Sequence, residues 1–389
     1  MTQAERRKII IVGGGPAGLA AALHLTRRMP WLVDELLIIE AAAYPRQKVC
    51  GGGVTFHGEE QLHDLDIEIN VPAFPVHKLI FRLGSRSFSA TCADAMRIIQ
   101  REEFDAALAK AVADRGLHCR TGERLIDLVV QEDGVTLVTS QGTYSADVVI
   151  GADGANSVVR QKLNLPTTAG IARLLRAMTP VDSSQSPAWQ EHTAVFDFSC
   201  ILQGVQGYVW DFPCYVGGRS FMNRGIFDSR IEPQPRTSKQ HGALKQAFTA
   251  GLHERAVDME SFQLEGHPVR WFNPHAEFAR PRVLLTGDAA GVDPLFAEGI
   301  SYAMEYGAVI AAVVEEAFAH RDFAFRSYRE RLLQHRLGQS LKRRTAVARH
   351  LYRHQWPQFW STLWQLAAIS PAVVKHAVGS SLNVLPALR

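Results

Sequence analysis

Cysteine is scarce in this chain. Five residues in 389, at 50, 92, 119, 200 and 214, form no C-x-x-C pair and no cluster with histidine. That excludes a disulfide framework and predicts no metal site. An odd count without a pattern points to reduced thiols and a cytoplasmic setting. No uninterrupted apolar run reaches the ~18 residues that a spanning helix needs. The N-terminal run Ile9 to Val12 is cut short by glycine, so it makes a first strand rather than a signal-peptide core. The excess of positive charge is only +3, which offers no electrostatic footprint for nucleic acid. There is no internal repeat and no second G-x-G-x-x-G.

What is present suits a globular protein: 47% of residues are hydrophobic and 21% charged. The stretch "KIIIVGGGPAGLAAALHL" reads as strand, glycine turn and helix. Ile9 to Val12 form the continuous apolar run of a parallel strand buried on both faces. Gly13, Gly15 and Gly18 supply, in turn, a tight turn, close backbone approach to a pyrophosphate, and helix packing on the strand. Pro16 and Ala17 open the helix, whose N-terminus favours phosphate. A second strand, "ELLIIE", ends at Glu40, 22 residues past Gly18, where a carboxylate can accept from ribose hydroxyls.

Two further segments fit the same scheme. "ADVVIGADGANSVVR" (146–160) is a strand ending in a glycine turn that contains Asp153. "RPRVLLTGDAAGVDPLFAEGISYAMEYGAVIAAVV" (280–314) is a strand, a turn at Gly287 and Asp288, then a long helix of small residues. On its own, Asp288 is either a helix cap or an acceptor for a polyol. Together the three segments resemble the FAD fingerprints of the flavoprotein hydroxylase and geranylgeranyl reductase superfamily. The resemblance implies a Rossmann-like α/β domain that binds FAD, interleaved with an antiparallel substrate sheet. It places Asp153 near the pyrophosphate, Asp288 on the ribityl chain, and the "P...EGI" turn, here Pro294 and Glu298, Gly299 and Ile300, beside the flavin ring.

The branch follows from two shorter stretches. "YPRQKVCGGGV" (44–54) resembles the "P..K.CGGG" segment of geranylgeranyl reductases. Arg46 and Lys48 either neutralise phosphate, position substrate or are surface charges. Cys50 is either a plain buried thiol or a cavity residue beside the flavin, and glycines such as Gly52 admit a ligand close to the backbone. "YVWDFP" (208–213) places Tyr208, Trp210 and Phe212 on one face of a strand. It resembles the reductases' "YxWxFP", which walls an apolar tunnel at the flavin, whereas related halogenases carry "WxWxIP". Phe296 joins the expected wall. In the same family the "R..FD" pattern sets an arginine, here Arg101, near FAD phosphate.

The expected FAD domain comprises 1–75, 95–165 and 275–325. The substrate domain comprises 76–94 and 166–274, with strands that include "TAVFDFSCIL" and a loop at 232–238. A helical region fills 326–389. Residues 326–353 carry nine Lys or Arg against the single acid Glu330, and Trp356, Trp360 and Trp364 recur every fourth residue behind them. That helix either caps the core or lies on a membrane surface. The resemblance implies reduction of C=C bonds in an isoprenoid or other apolar substrate. NAD(P)H or another reductant supplies the electrons, with Tyr208, Trp210 and Cys50 nearest the chemistry. The rival is oxygen chemistry through a C4a-hydroperoxide, as in monooxygenases and halogenases. A halogenase needs a lysine between flavin and substrate, and Lys48 and Lys78 are the candidates. Peripheral association with the inner membrane surface would suit a lipid-like substrate.

Overall fold

Ile9, Ile10 and Ile11 have no exposed surface, because strand β1 (Glu5–Val12) is hydrogen-bonded on both sides and covered on both faces. Full burial of each such side chain is worth about 1.5–3 kcal/mol. The computed structural model describes residues 5–166, 170–233, 243–258, 260, 262–354 and 356–370. After β1 the chain forms α1 (Pro16–Arg28), β2 (Leu36–Glu40), β3 (Gly53–Thr55), α2 (Phe56–Asp64), β4 (Ala73–Leu83) and β5 (Arg86–Ile99). Next come α3 (Arg101–Ala113), β6 (His118–Thr121), β7 (Leu125–Val130), β8 (Val135–Thr139), β9 (Thr143–Gly151) and α4 (Val158–Lys162). The middle of the chain gives β10 (Ile171–Pro180), α5 (Pro187–Gln190), β11 (Thr193–Asp197), β12 (Gly207–Val216), β13 (Arg219–Asp228), α6 (Ala243–Glu254) and β14 (Glu265–Arg270). The end holds β15 (Ala279–Arg280), β16 (Val283–Leu285), α7 (Ile300–His320), α8 (Tyr328–Gln334), α9 (Arg336–Arg353) and α10 (Pro357–Ile369).

Two sheets organise these elements. The first runs β15-β16-β9-β1-β2-β6, parallel from β16 to β6, with the β7–β8 hairpin attached to β9. Helices α1 and α7 pack together; Gly307 allows it, since a Cβ there would lie 3.0 Å from the Ala20 backbone. The second sheet runs β14-β10-β13-β12-β11-β4-β5-β3 and is antiparallel except where β11 pairs with β4. This is the expected α/β architecture with an interleaved second sheet. Strand β3, inside 1–75, joins the second sheet through β5, and position 94/95 falls within β5.

Two expectations change in detail. "TAVFDFSCIL" is a strand only as far as Asp197, whose carboxylate accepts from Ser199 N at 2.9 Å and starts a 3-10 turn over Phe198–Gln203. The tryptophan stripe of α10 turns inward. Trp360 and Trp364 are buried, the latter against Phe88 of the second sheet and Phe198 of the 3-10 turn, while Trp356 at the helix start is 73% exposed. Most of the loop expected at 232–238, and residues 371–389, lie outside the described residues. Among the described residues no helix is long and apolar enough to cross a membrane.

Candidate active site

The site begins where β1 ends. Gly13 has a φ of +109°, and any Cβ on it would overlap the Ala152 carbonyl. A Cβ on Gly18 would overlap the Gly13 carbonyl, so α1 rests directly on the turn. Gly15 differs. A Cβ there would meet nothing nearer than Arg46 Nη2 at 3.5 Å, and the residue lines a cavity of about 410 Å³. The open side of this glycine is a cradle of phosphate size under the N-terminus of α1.

Polar groups around the cradle suit a dinucleotide. Glu40 accepts from Gly14 N at 2.7 Å and from Ala42 N at 3.0 Å. A carboxylate has about four acceptor positions, so capacity for ribose hydroxyls is left. Arg46 pairs through Nη2 with Asp105 at 3.2 Å, while its buried Nε, 3.6 Å from Glu40 Oε1, makes an ion pair but no hydrogen bond. Arg101 is held bidentate by Asp105 at 2.8 and 2.9 Å. Asp153 caps α4 through Val159 N at 3.0 Å and leaves a buried Oδ1 without a partner. Burial raises its pKa, with hydrogen bonds from Ser157 and nearby backbone amides opposing. Asp288, Gly299 and Ile300 form the opposite wall at the start of α7. These orphaned polar atoms and the open glycine fit FAD.

The same cavity continues into the second sheet. Tyr208, Trp210 and Phe212 line it from β12, with Phe196, Phe227 and Phe296 beside them. The Tyr208 hydroxyl donates to the Phe296 carbonyl at 2.6 Å. Burial raises its pKa well above the usual phenol value, and nearby Asp293 adds to this. Its proton is thus committed to the backbone, which favours wall over acid. Trp210 Nε1 donates to Asn223 Oδ1 at 3.0 Å, and Asn223 Nδ2 donates to the carbonyls of Cys50 and Gly51 at 2.9 and 3.1 Å. The indole lies over Gly225 on the neighbouring strand, where any Cβ would overlap it. Trp210 therefore clamps the glycine loop as well as walling the cavity. Gly52 has a φ of +78° and its amide donates to Cys50 Sγ at 3.4 Å.

Lys48 also lines the cavity, with its Nζ 2.6 Å from His267 Nε2. Burial, then the charges of Lys48 and Arg101, push His267 down to about 3, so the neutral imidazole accepts from the ammonium. Burial lowers the Lys48 pKa too, and the Asp288 charge opposes it. Lys78 instead pairs with Glu191 at 2.7 Å, away from the cavity. Gly18 and Gly287 stay behind the wall as packing glycines; a Cβ on Gly287 would lie 2.6 Å from Ala17 Cβ. Every other residue expected at the FAD or substrate site, except Pro294, lines this one cavity. Sequence reasoning missed Asn223 and His267, each a lone polar residue with no motif around it, and Thr55, which directly follows the 44–54 stretch.

A family model described as "FAD binding domain" matches residues 6–310. Menaquinone reductase of Mycobacterium tuberculosis is 26% identical over 99% of this chain and 93% of its own. Monooxygenase 1 of Arabidopsis thaliana is 30% identical over 79% of this chain and 78% of its own. A geranylgeranyl bacteriochlorophyll reductase-like protein from Thermoplasma acidophilum shares the fold, with a TM-score of 0.75 at 22% identity over 90% of this chain and 88% of that one. A match that extends from β1 into α7 makes this chain a member of the FAD-binding-domain family of oxidoreductases.

Proposed function

We propose that this flavoprotein reduces a C=C bond of an isoprenoid or another apolar substrate. Reduced FAD, when bound, supplies the hydride. NAD(P)H or a different reductant supplies the electrons. The observation that carries the reading is the continuity of the cavity, from the glycine cradle to a wall of aromatic rings. The polar atoms of that wall are already spent: the Tyr208 hydroxyl on Phe296 and the Trp210 N–H on Asn223. What remains offers an apolar chain a dry surface and gives a charged substrate little reward. The loop 50–53, clamped by Asn223, holds one side of that compartment in place, and alkene chemistry depends on such positioning. The names of the menaquinone and geranylgeranyl reductase relatives point the same way.

The test is anaerobic. Reduced protein is mixed with polyprenyl substrates, and flavin absorbance and product mass are followed. Reoxidation of the flavin with addition of two hydrogens to the polyprenyl chain supports the proposal. Inertness without oxygen, with a hydroxylated or halogenated product in air, overturns it. That second reading has support of its own in the 30% identity to a monooxygenase and in a lysine, Lys48, inside the cavity.

A further inference from the structure

Behind the cavity wall lies a cluster of buried charges that neither reading uses. Glu298 and Thr55 belong to the wall, and Thr55 Oγ1 donates to Glu298 Oε1 at 2.7 Å. On the far side of Glu298 is His57 of α2, its Nδ1 3.7 Å from Glu298 Oε1 and its Nε2 2.9 Å from Glu305 Oε2 of α7. Glu305 lies beneath the junction of α8 and α9. There it pairs with Arg336 Nε at 2.7 Å and lies 3.8 Å from Nδ1 of His335, whose side chain is 33% exposed. Arg344 of α9 closes the group, 2.6 Å from Asp293 and 3.1 Å from Glu298. The Tyr302 ring packs edge-on to His57. Arg336 also reaches Asp64 at 3.7 Å on the surface.

Count the inner charges. The buried carboxylates Asp293, Glu298 and Glu305 share one buried cation, Arg344, while Arg336, 60% exposed, divides its charge between Glu305 and Asp64 at the surface. Among the described residues His57 sits between two of these carboxylates, where a proton on the imidazole offsets their charge. Burial opposes that charge, but hydrogen bonds and attraction from Glu298 and Glu305 outweigh it and hold the imidazole up at about 9.

We infer that His57, between Glu298 and Glu305, is a proton relay that feeds the active-site cavity from the surface at the α8–α9 junction. In the forward step the ring closes the 3.7 Å between Nδ1 and Glu298 Oε1 to hydrogen-bond reach, the N–H bond at Nδ1 breaks and an O–H bond forms on Glu298. Glu298 then gives that proton to the group being reduced in the cavity. The cluster is left with one more negative charge than before, which draws in the next proton. A half-turn of the ring presents the bare nitrogen to Glu305, where a proton from solvent reloads it. Alkene reduction and oxygen activation both consume a proton, so the relay serves either chemistry and needs only bound FAD.

The test uses holoprotein and menadione, an apolar quinone that takes one hydride and one proton to become a hydroquinone. Stopped-flow under nitrogen follows flavin reoxidation against pH. The wild-type rate should fall as pH rises through about 9. His57→Gln and Glu305→Gln should keep FAD and their rate of reduction by dithionite. Reoxidation should slow by roughly 10²-fold or more and recover in part with added imidazole. Histidine-selective ¹⁵N NMR provides a readout independent of turnover: the His57 resonance should keep its imidazolium signature to about pH 9 in the wild type. A flat wild-type profile, a neutral His57 at pH 7, or FAD-loaded variants with wild-type rates would each overturn the relay. Should either variant lose FAD, the wild-type profile and the NMR titration still decide.

Discussion

Replacing Trp210 with phenylalanine separates its two duties. The change keeps an aromatic ring on the wall and removes the N–H that holds Asn223 at 3.0 Å. Asn223 is 1% exposed, so its Oδ1 is left without a donor or water. An unsatisfied buried acceptor costs about 1–3 kcal/mol. The smaller ring also leaves a void over Gly225, adding about 1 kcal/mol. The expected loss is about 2–4 kcal/mol in all, a fall of several degrees in Tm. FAD content should stay at wild-type level, because the cradle at Gly15 is formed by other residues. Asn223 would no longer orient the Cys50 and Gly51 carbonyls. Anaerobic flavin reoxidation by a polyprenyl substrate should therefore slow about tenfold to a hundredfold, while reduction by dithionite is unchanged. Asn223→Leu, which cuts the same clamp from the other side, should act non-additively with Trp210→Phe, with a coupling of about 1 kcal/mol or more. Additive stability losses with wild-type reoxidation would refute the clamp and leave Trp210 as sheet packing.

Gly15→Val should abolish FAD binding, read as loss of the yellow colour, yet leave far-UV circular dichroism intact, because the new side chain fills the cradle and meets only Arg46. His57 should make stability depend on pH. Its pKa is raised in the folded state, so its contribution is full below about 6.5 and is lost as pH rises through about 9. That linkage is worth up to about 3 kcal/mol, and Tm curves of wild type and His57→Gln should converge across this window. The outer edge of α10, with Trp356, Leu366 and Ile369 exposed, is our proposed contact with a lipid surface. Trp356→Ser should lower cosedimentation with anionic liposomes, and added salt should weaken the basic share of binding. A folded protein that never cosediments would leave α10 as a cap alone.

The nucleotide half of this protein is legible in the sequence because its signals are local. A buried parallel strand needs a continuous apolar run, and Ile9 to Val12 provide one. Gly13, Gly15 and Gly18 stand at the G-x-G-x-x-G spacing directly after that strand, which marks the turn. An aromatic alternation places Tyr208, Trp210 and Phe212 on one face whatever lies opposite, because strand side chains alternate. Each of these statements needs only a few neighbouring residues.

What faces those residues was decided by the tertiary structure. Asn223 reaches Trp210 only through the register of β12 against β13, which a residue-by-residue reading cannot place. Arg344 reads as one more cation in a basic stretch of α9, yet it is 2% exposed and paired with Asp293, 51 positions earlier. The helical period sets which face Arg344 shares, but only the docking of α9 onto α7 makes that face the inner one. His57, Glu298 and Glu305 come from α2, the turn before α7, and α7 itself. Separately, His57 and Glu305 read as solvated polar residues, and Glu298 as part of the turn expected beside the flavin ring. Removed from water together, they have to neutralise one another, because an unpaired charge in a buried site costs more than the fold could offset. That mutual requirement exists only once the segments have met, so the proton-bearing side of the cavity belongs to the folded molecule and to no single motif.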